Sequence, residues 1–165
     1  MKTIYLIGGP MGVGKTTVCR KLKTALADCV FLDGDWCWDA SPFQVNEETR
    51  AMVLENICFL LNQFIHCSAY QNIVFCWVMH EQEIIDSILS RLDAADCTVK
   101  TISLLCSEEA LRDRLLGDVR QGLRQADVIE RSVQRLPSYQ TLNTRKIDTS
   151  GKTVEQVVRE IILAQ

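Results

Sequence analysis

Gly9-Pro-Met-Gly-Val-Gly14-Lys15-Thr16 fits the spacing G-x-x-x-x-G-K-[ST] in full. The chemistry of such a run is phosphate binding. Its glycines let the chain curl until successive N–H groups point inward, and a helix starting directly after it turns its positive end toward the same point. The backbone of Gly9, Gly12, Val13 and Gly14 would form the cradle. Lys15 brings a full charge to the β and γ phosphates of a nucleoside triphosphate, Thr16 offers a hydroxyl to Mg²⁺, and Thr17 reaches the α-phosphate side. A second group of interest is Asp33-Gly-Asp35, two carboxylates two residues apart at the end of an apolar run. It is either a pair of acids facing a ligand crevice or a solvated turn, since Asp-Gly-Asp is also good turn chemistry.

These residues need a scaffold, and the hydrophobic pattern supplies one. Apolar runs of four to eight residues alternate with longer helical patterns, the rhythm of βαβ units and a parallel sheet. Thr3 to Ile7, Val30 to Asp33, Ile73 to Met79, Val99 to Leu105 and Lys146 to Thr149 are the strands expected. Lys15 to Ala27 carries Val18, Leu22, Ala25 and Leu26 at helical spacing, so the phosphate loop lies between a strand and a helix. That context removes the alternative of a glycine turn with an incidental lysine. Asn46 starts a long helix with Val53, Ile57, Leu60, Leu61 and Phe64 inward, and Glu81 to Leu92 is the next. Ser107, Asp127 with Glu130, and Thr153 with Gln156 are N-cap signals for three more.

From the loop to the final Ile147-Asp-Thr-Ser-Gly151, the chain resembles the small P-loop kinases, the group of shikimate, gluconate, adenylylsulfate and nucleoside monophosphate kinases. The resemblance implies an α/β fold of three layers, αβα, with a five-stranded parallel sheet in the order 2-3-1-4-5 and a helical lid, here about residues 117–126. It implies ATP and Mg²⁺ as cofactors, with Asp33 as the metal-side acid and Asp35 as the acid that contacts the acceptor hydroxyl and takes its proton. It also implies transfer of the γ-phosphoryl group to a small-molecule acceptor bearing a hydroxyl or a phosphate. A nucleoside or nucleotide kinase is the near alternative, and a non-catalytic nucleotide-binding module the distant one.

Six of the eleven arginines fall between 112 and 135. In the small kinases an arginine-bearing lid closes over the phosphates, which makes Arg120 and Arg124 the lid candidates and Arg112 or Arg114 the nucleotide contact from the preceding helix. Gly117 and Gly122 would be the hinges. Interleaved acids, Glu108, Asp118 and Glu130 among them, leave open a salt-bridged helix pair instead. The third strand runs into His80 and not into the Asp often seen there in this group, which puts more weight on Asp33. His80 could touch an acceptor or serve as a local hydrogen-bonder. Trp36, Trp38 and Phe43 could floor an acceptor pocket or belong to the core. Asp148-Thr-Ser-Gly151 lacks a following N-K-x-D motif and fits the adenine-side loop after the last strand.

Composition bounds the rest. The chain has 165 residues, 47% hydrophobic and 24% charged, with eight glycines and three prolines, which excludes a disordered or collagen-like chain and fits one domain. A net charge of -3 and a pI near 5.4 argue against a nucleic-acid polymer as partner. Eight cysteines without a CxxC pair suit reduced thiols in a cytoplasmic protein. The apolar N-terminal stretch is broken by Gly8, Gly9, Pro10, Gly12 and Lys15, unlike a signal peptide. Ile57 to His80 carries no Asp, Glu, Lys or Arg, but Asn62, Gln63, His66 and Asn72 interrupt it, so it reads as a helix end, a turn and a buried strand, with no membrane partner. A monomer or a homodimer is expected.

Overall fold

Strand β1 (Lys2–Gly8) lies at the centre of a parallel sheet because it is apolar on both faces: Ile4 and Leu6 point to one side, Tyr5 and Ile7 to the other, and all four are buried. The computed structural model describes residues 1–164. Around β1 stand β2 (Cys29–Asp33), β3 (Asn72–Cys76), β4 (Cys97–Leu105) and β5 (Arg145–Asp148), in the order β2-β3-β1-β4-β5. All four pairings are parallel, with Ile4 opposite Ile73 on one side and Val99 on the other. The sheet order implied by the resemblance is the order found.

Helices cover both faces. Helices α2 (Glu47–His66), α3 (Gln82–Leu89) and α5 (Val128–Thr141) pack on the side of Ile4, Leu6, Ile73 and Phe75, through Val53, Ile57, Leu61, Ile85, Ile88 and Tyr139. Helices α1 (Lys15–Ala25) and α6 (Val154–Leu163) cover the other side through Val18, Leu22, Val157, Val158 and Ile161. Helix α4 (Glu108–Arg120) adds a small third cluster, Leu111 and Leu115 with Val128, against Met11 of the phosphate loop. Truncating any fully buried Leu or Ile here to Ala should cost about 2–5 kcal/mol.

Local chemistry sets the ends of these elements. Asn46 caps α2 and exchanges side-chain bonds with Thr49, and Thr153 and Gln156 do the same for α6. Ser107 accepts from Ala110 N–H at the start of α4. Two expectations are corrected. Asp127 makes no side-chain cap: its backbone is already helical, at φ -64° and ψ -19°, and its carboxylate pairs with Arg131 at 3.4 Å. Strand β3 stops at Cys76, three residues before Met79: its partner β1 ends one residue past the last paired position, Ile7 with Cys76. Within residues 117–126, expected as a helical lid, Gly117 to Arg120 form the last turn of α4.

What ends α4 is Gly122, at φ +72°. Its N–H bonds Val119 O and the Leu123 N–H bonds Asp118 O, the paired turn that closes a helix on a left-handed residue. Of the two expected hinges, Gly122 is this turn and Gly117 lies inside the helix. The eight cysteines are free among the described residues, with Cys19, Cys58 and Cys76 buried and the others half-buried. No helix among those residues is long and apolar enough to cross a membrane.

Candidate active site

The loop between β1 and α1 brings the motif to the carboxyl end of the central strand, the edge at which parallel sheets take their ligands. Lys15 folds back over the loop, its Nζ donating to Gly9 O at 2.8 Å and Pro10 O at 3.0 Å. Burial pulls its pKa down, opposed by the nearby Cys76, Asp35 and Asp33. Gly12 is needed because α4 closes on it: a methyl there would lie 2.6 Å from Leu115 Cδ2, on a backbone at φ +87°. Val13 is buried and Thr17 exposed.

Thr16 and Asp33 meet although 17 residues separate them. Thr16 Oγ1 donates to Asp33 Oδ2 at 2.7 Å, and Asp33 Oδ1 accepts from the Asp35 N–H at 3.1 Å. The second bond caps the short 3₁₀ turn Gly34–Cys37, so the buried Asp33 fixes the direction in which Asp35 leaves the sheet. The hydroxyl and carboxylate form a hard oxygen pair at the mouth of the loop. They fit Mg²⁺, which takes one or two protein oxygens and fills its remaining positions with phosphate oxygens and water.

Asp35 is the exposed member of the acid pair, but its carboxyl is not free of neighbours. Burial of the carboxyl and the charge of Asp33 push its pKa up. The charges of Lys15 and Arg124 and the neighbouring Trp77 indole pull it the other way. Trp77 stands on the first residue after β3 and was not among the residues the sequence singled out. Its ring leans against Gly34, where an added methyl would meet Trp77 Cγ at 2.5 Å and Cδ1 at 2.6 Å. The signal available was the indole itself, because a Trp in a buried run needs a partner for its N–H.

The four arginines separate. Arg114 donates to Val13 O at 3.1 Å and to Thr149 Oγ1 at 3.3 Å, tying the phosphate loop to the loop after β5. Arg124 pairs with Asp118 at 2.9 Å, and its charge reaches Asp35. Arg120 ends α4 exposed. Arg112 corrects an expectation: it is held between Glu108 at 2.9 Å and Glu130 at 2.6 Å on the α4–α5 seam, with no bond to the loop among the described residues. The Asp148–Gly151 loop is pinned by Ser150, whose Oγ accepts from Ser107 N–H and whose own N–H bonds Asp148.

His80 is half-buried beside its own turn, with Nδ1 3.4 Å from Val78 O and Nε2 3.4 Å from Glu81 Oε1. Trp36 turns to the α1 face and meets Phe31 edge-on at 5.1 Å. Trp38 packs on the α2 face and carries Phe43 at 4.2 Å. The aromatics expected to act together thus divide between the two sides of the sheet edge.

The sequence pattern of the family described as AAA domain matches residues 6–132, from the end of β1 into α5. The chain belongs to this family. Among solved structures, this AAA-domain chain is similar to a gluconokinase from Sinorhizobium meliloti 1021, at TM-score 0.72 and 17% identity over 98% of this chain and 90% of that one. It is similar also to the tunicamycin resistance protein of Deinococcus radiodurans, at TM-score 0.71 and 22% identity over 99% and 95%. A third is the shikimate kinase of Aquifex aeolicus vf5, at 0.62 and 21% over 98% and 94%. The fold is therefore that of the small P-loop kinases. A comparison with the curated proteins finds no match.

Proposed function

We propose that the chain transfers the γ-phosphoryl group of Mg-ATP to a hydroxyl or phosphate of a small molecule. The observation that carries this is the closed set Lys15, Thr16 and Asp33 with Asp35 two residues further on, at the ligand edge of the sheet. In support, the gluconokinase and the shikimate kinase share the fold along nearly the whole chain.

In this account Lys15 leaves the carbonyls of Gly9 and Pro10 for the phosphate oxygens, and the loop N–H groups with the start of α1 hold them in place. Thr16 and Asp33 would hold Mg²⁺, whose charge neutralises the phosphates when it is bound. Asp35 accepts the proton of the attacking hydroxyl as the new oxygen–phosphorus bond forms and the bond to the leaving ADP breaks. Arg124, which already bears on Asp35, offers charge to the transferring group. Arg114 holds the two loops on either side of the nucleotide in register.

The test is ADP formation by the purified protein with Mg-ATP against nucleosides, monophosphates, sugar acids, polyols and hydroxylated antibiotics, with Lys15→Ala alongside. The expected result is acceptor-dependent turnover that the variant loses. Turnover retained in the variant would sink the assignment. One observation favours a second account, a nucleotide-binding module without transfer: β3 ends on Cys76, and neither it nor Trp77 after it is an acid. Tight ATP binding with no acceptor effect is its signature.

A further inference from the structure

The bonds made by the arginines of α4 and of the turn behind it separate scaffold from working groups. Arg112 gives Nε to Glu108 and both Nη groups to Glu130, so its planar fork is filled. Arg114 is tied to Val13 and Thr149, and Arg120 is exposed. Arg124 differs from all three. Its Nε donates to Asp118 Oδ2 at 2.9 Å, while Nη1 and Nη2 donate to no protein group among the described residues. A guanidinium held by Nε alone is oriented and yet keeps its two-pronged edge open, the edge that matches two oxygens of a phosphoryl group.

The helix that carries Asp118 brings it to the phosphates. Leu111, Arg114, Leu115 and Asp118 follow at steps of three, one and three, which is one face of α4. That face meets the phosphate loop: Met11 packs against Leu111 and Leu115, Arg114 Nη1 reaches Val13 O at 3.1 Å, and a methyl on Gly12 would lie 2.6 Å from Leu115 Cδ2. Asp118 is the next turn along it. Its carbonyl accepts from the Leu123 N–H at 2.9 Å across the Gly122 turn and its carboxylate takes Arg124, so one residue grips the returning chain twice. Both side chains of the pair keep 33% of their surface exposed, too much for a buried anchor of the fold. The charge of Arg124 is also felt at Asp35. Resting on the phosphotransfer account above, we infer that Asp118 is a positioning residue, which holds Arg124 by Nε beside the phosphate loop and leaves the Nη1–Nη2 edge for the γ-phosphoryl oxygens of the nucleotide.

The γ-phosphate is what ATP has and ADP lacks, so the two nucleotides read this contact without any acceptor. Calorimetry measures the affinity of the whole protein for Mg-ATP and for Mg-ADP in the parent, in Asp118→Ala, in Arg124→Ala and in the double variant, with melting temperatures alongside. Each single variant should weaken Mg-ATP by about tenfold and leave Mg-ADP within about twofold. The double variant should lose no more than Arg124→Ala, since Asp118 acts only through that guanidinium. Melting temperatures should stay within about 2 °C, because Asp118→Ala keeps the carbonyl that closes the turn and so exposed a pair adds little to stability. Losses that add in the double variant, or unchanged Mg-ATP affinity in Asp118→Ala, overturn the inference and leave phosphotransfer standing. So does an equal weakening of both nucleotides with a fall in melting temperature, which assigns Asp118 to the scaffold. Turnover is read separately with Mg-ATP and the acceptor panel. A selective loss of Mg-ATP affinity with no turnover of any acceptor sinks phosphotransfer and leaves the positioning of Arg124 standing.

Discussion

On the phosphate side of the site, the working groups are tied to backbone and to one another: Lys15 to two loop carbonyls, Thr16 to Asp33, Arg114 to Val13 and Thr149. On the acceptor side, residues 39–48 are exposed throughout, and the side chains that stand out are Phe43 on Trp38 and the indole of Trp77. On the phosphotransfer reading proposed above, the difference follows from what each side binds. A triphosphate is the same for every relative, so its cradle can be built into the sheet edge, where a helix end and curled backbone supply the donors. An acceptor differs from one relative to the next, and exposed side chains on a loop vary without disturbing the core.

The comparison can be broken most forcefully at Lys15. Lys15→Ala should lower kcat/KM by about a thousandfold or more while circular dichroism and the melting temperature stay near those of the parent, because the lost charge acts on phosphate and not on the core. A variant that fails by unfolding would place this residue with the scaffold instead. Next comes the seam between the two sides. Gly34→Ala forces the Trp77 ring against the turn that carries Asp35, so the transfer rate should fall by about ten- to a hundredfold with ATP affinity little changed. Equal loss in both would mean that the seam serves the nucleotide as well.

Smaller effects sharpen the division. Arg114→Ala removes two bonds that join the loops around the nucleotide, and ATP affinity by calorimetry should weaken by about tenfold. Arg112→Ala, two residues away, should leave kcat/KM within about twofold, since its partners are exposed glutamates and surface ion pairs contribute little.

That last pair also shows where sequence reading reached its limit. Positions two apart on a helix point about 200° apart, so only one of Arg112 and Arg114 can face the loop, and which one depends on the packing of Leu111 and Leu115. The phosphate loop was legible because its residues are contiguous and its spacing is dictated by phosphate geometry. That Asp33 faces the phosphate loop was legible through the rule that strand ends share an edge, whereas its bond to Thr16 was not. The end of β3 was not, because Trp77-Val-Met79 is as apolar as the strand before it and what stops the pairing is the end of its neighbours, β2 at Asp33 and β1 just past Ile7. Trp77 was lost with it. The reach of α4 to Arg120 was hidden by Gly117, which a helix tolerates, whereas Gly122 serves the helix end that Gly more often marks.

The most direct test sets the two acids side by side. Mg-ATP affinity by calorimetry and phosphoryl transfer to the acceptor found in the panel are measured for Asp33→Asn and Asp35→Asn. The account predicts that Asp33→Asn weakens Mg-ATP binding and transfer together, and that Asp35→Asn binds Mg-ATP like the parent but transfers at least about a hundredfold more slowly. Normal transfer in Asp35→Asn, or the same loss of binding in both variants, would contradict it.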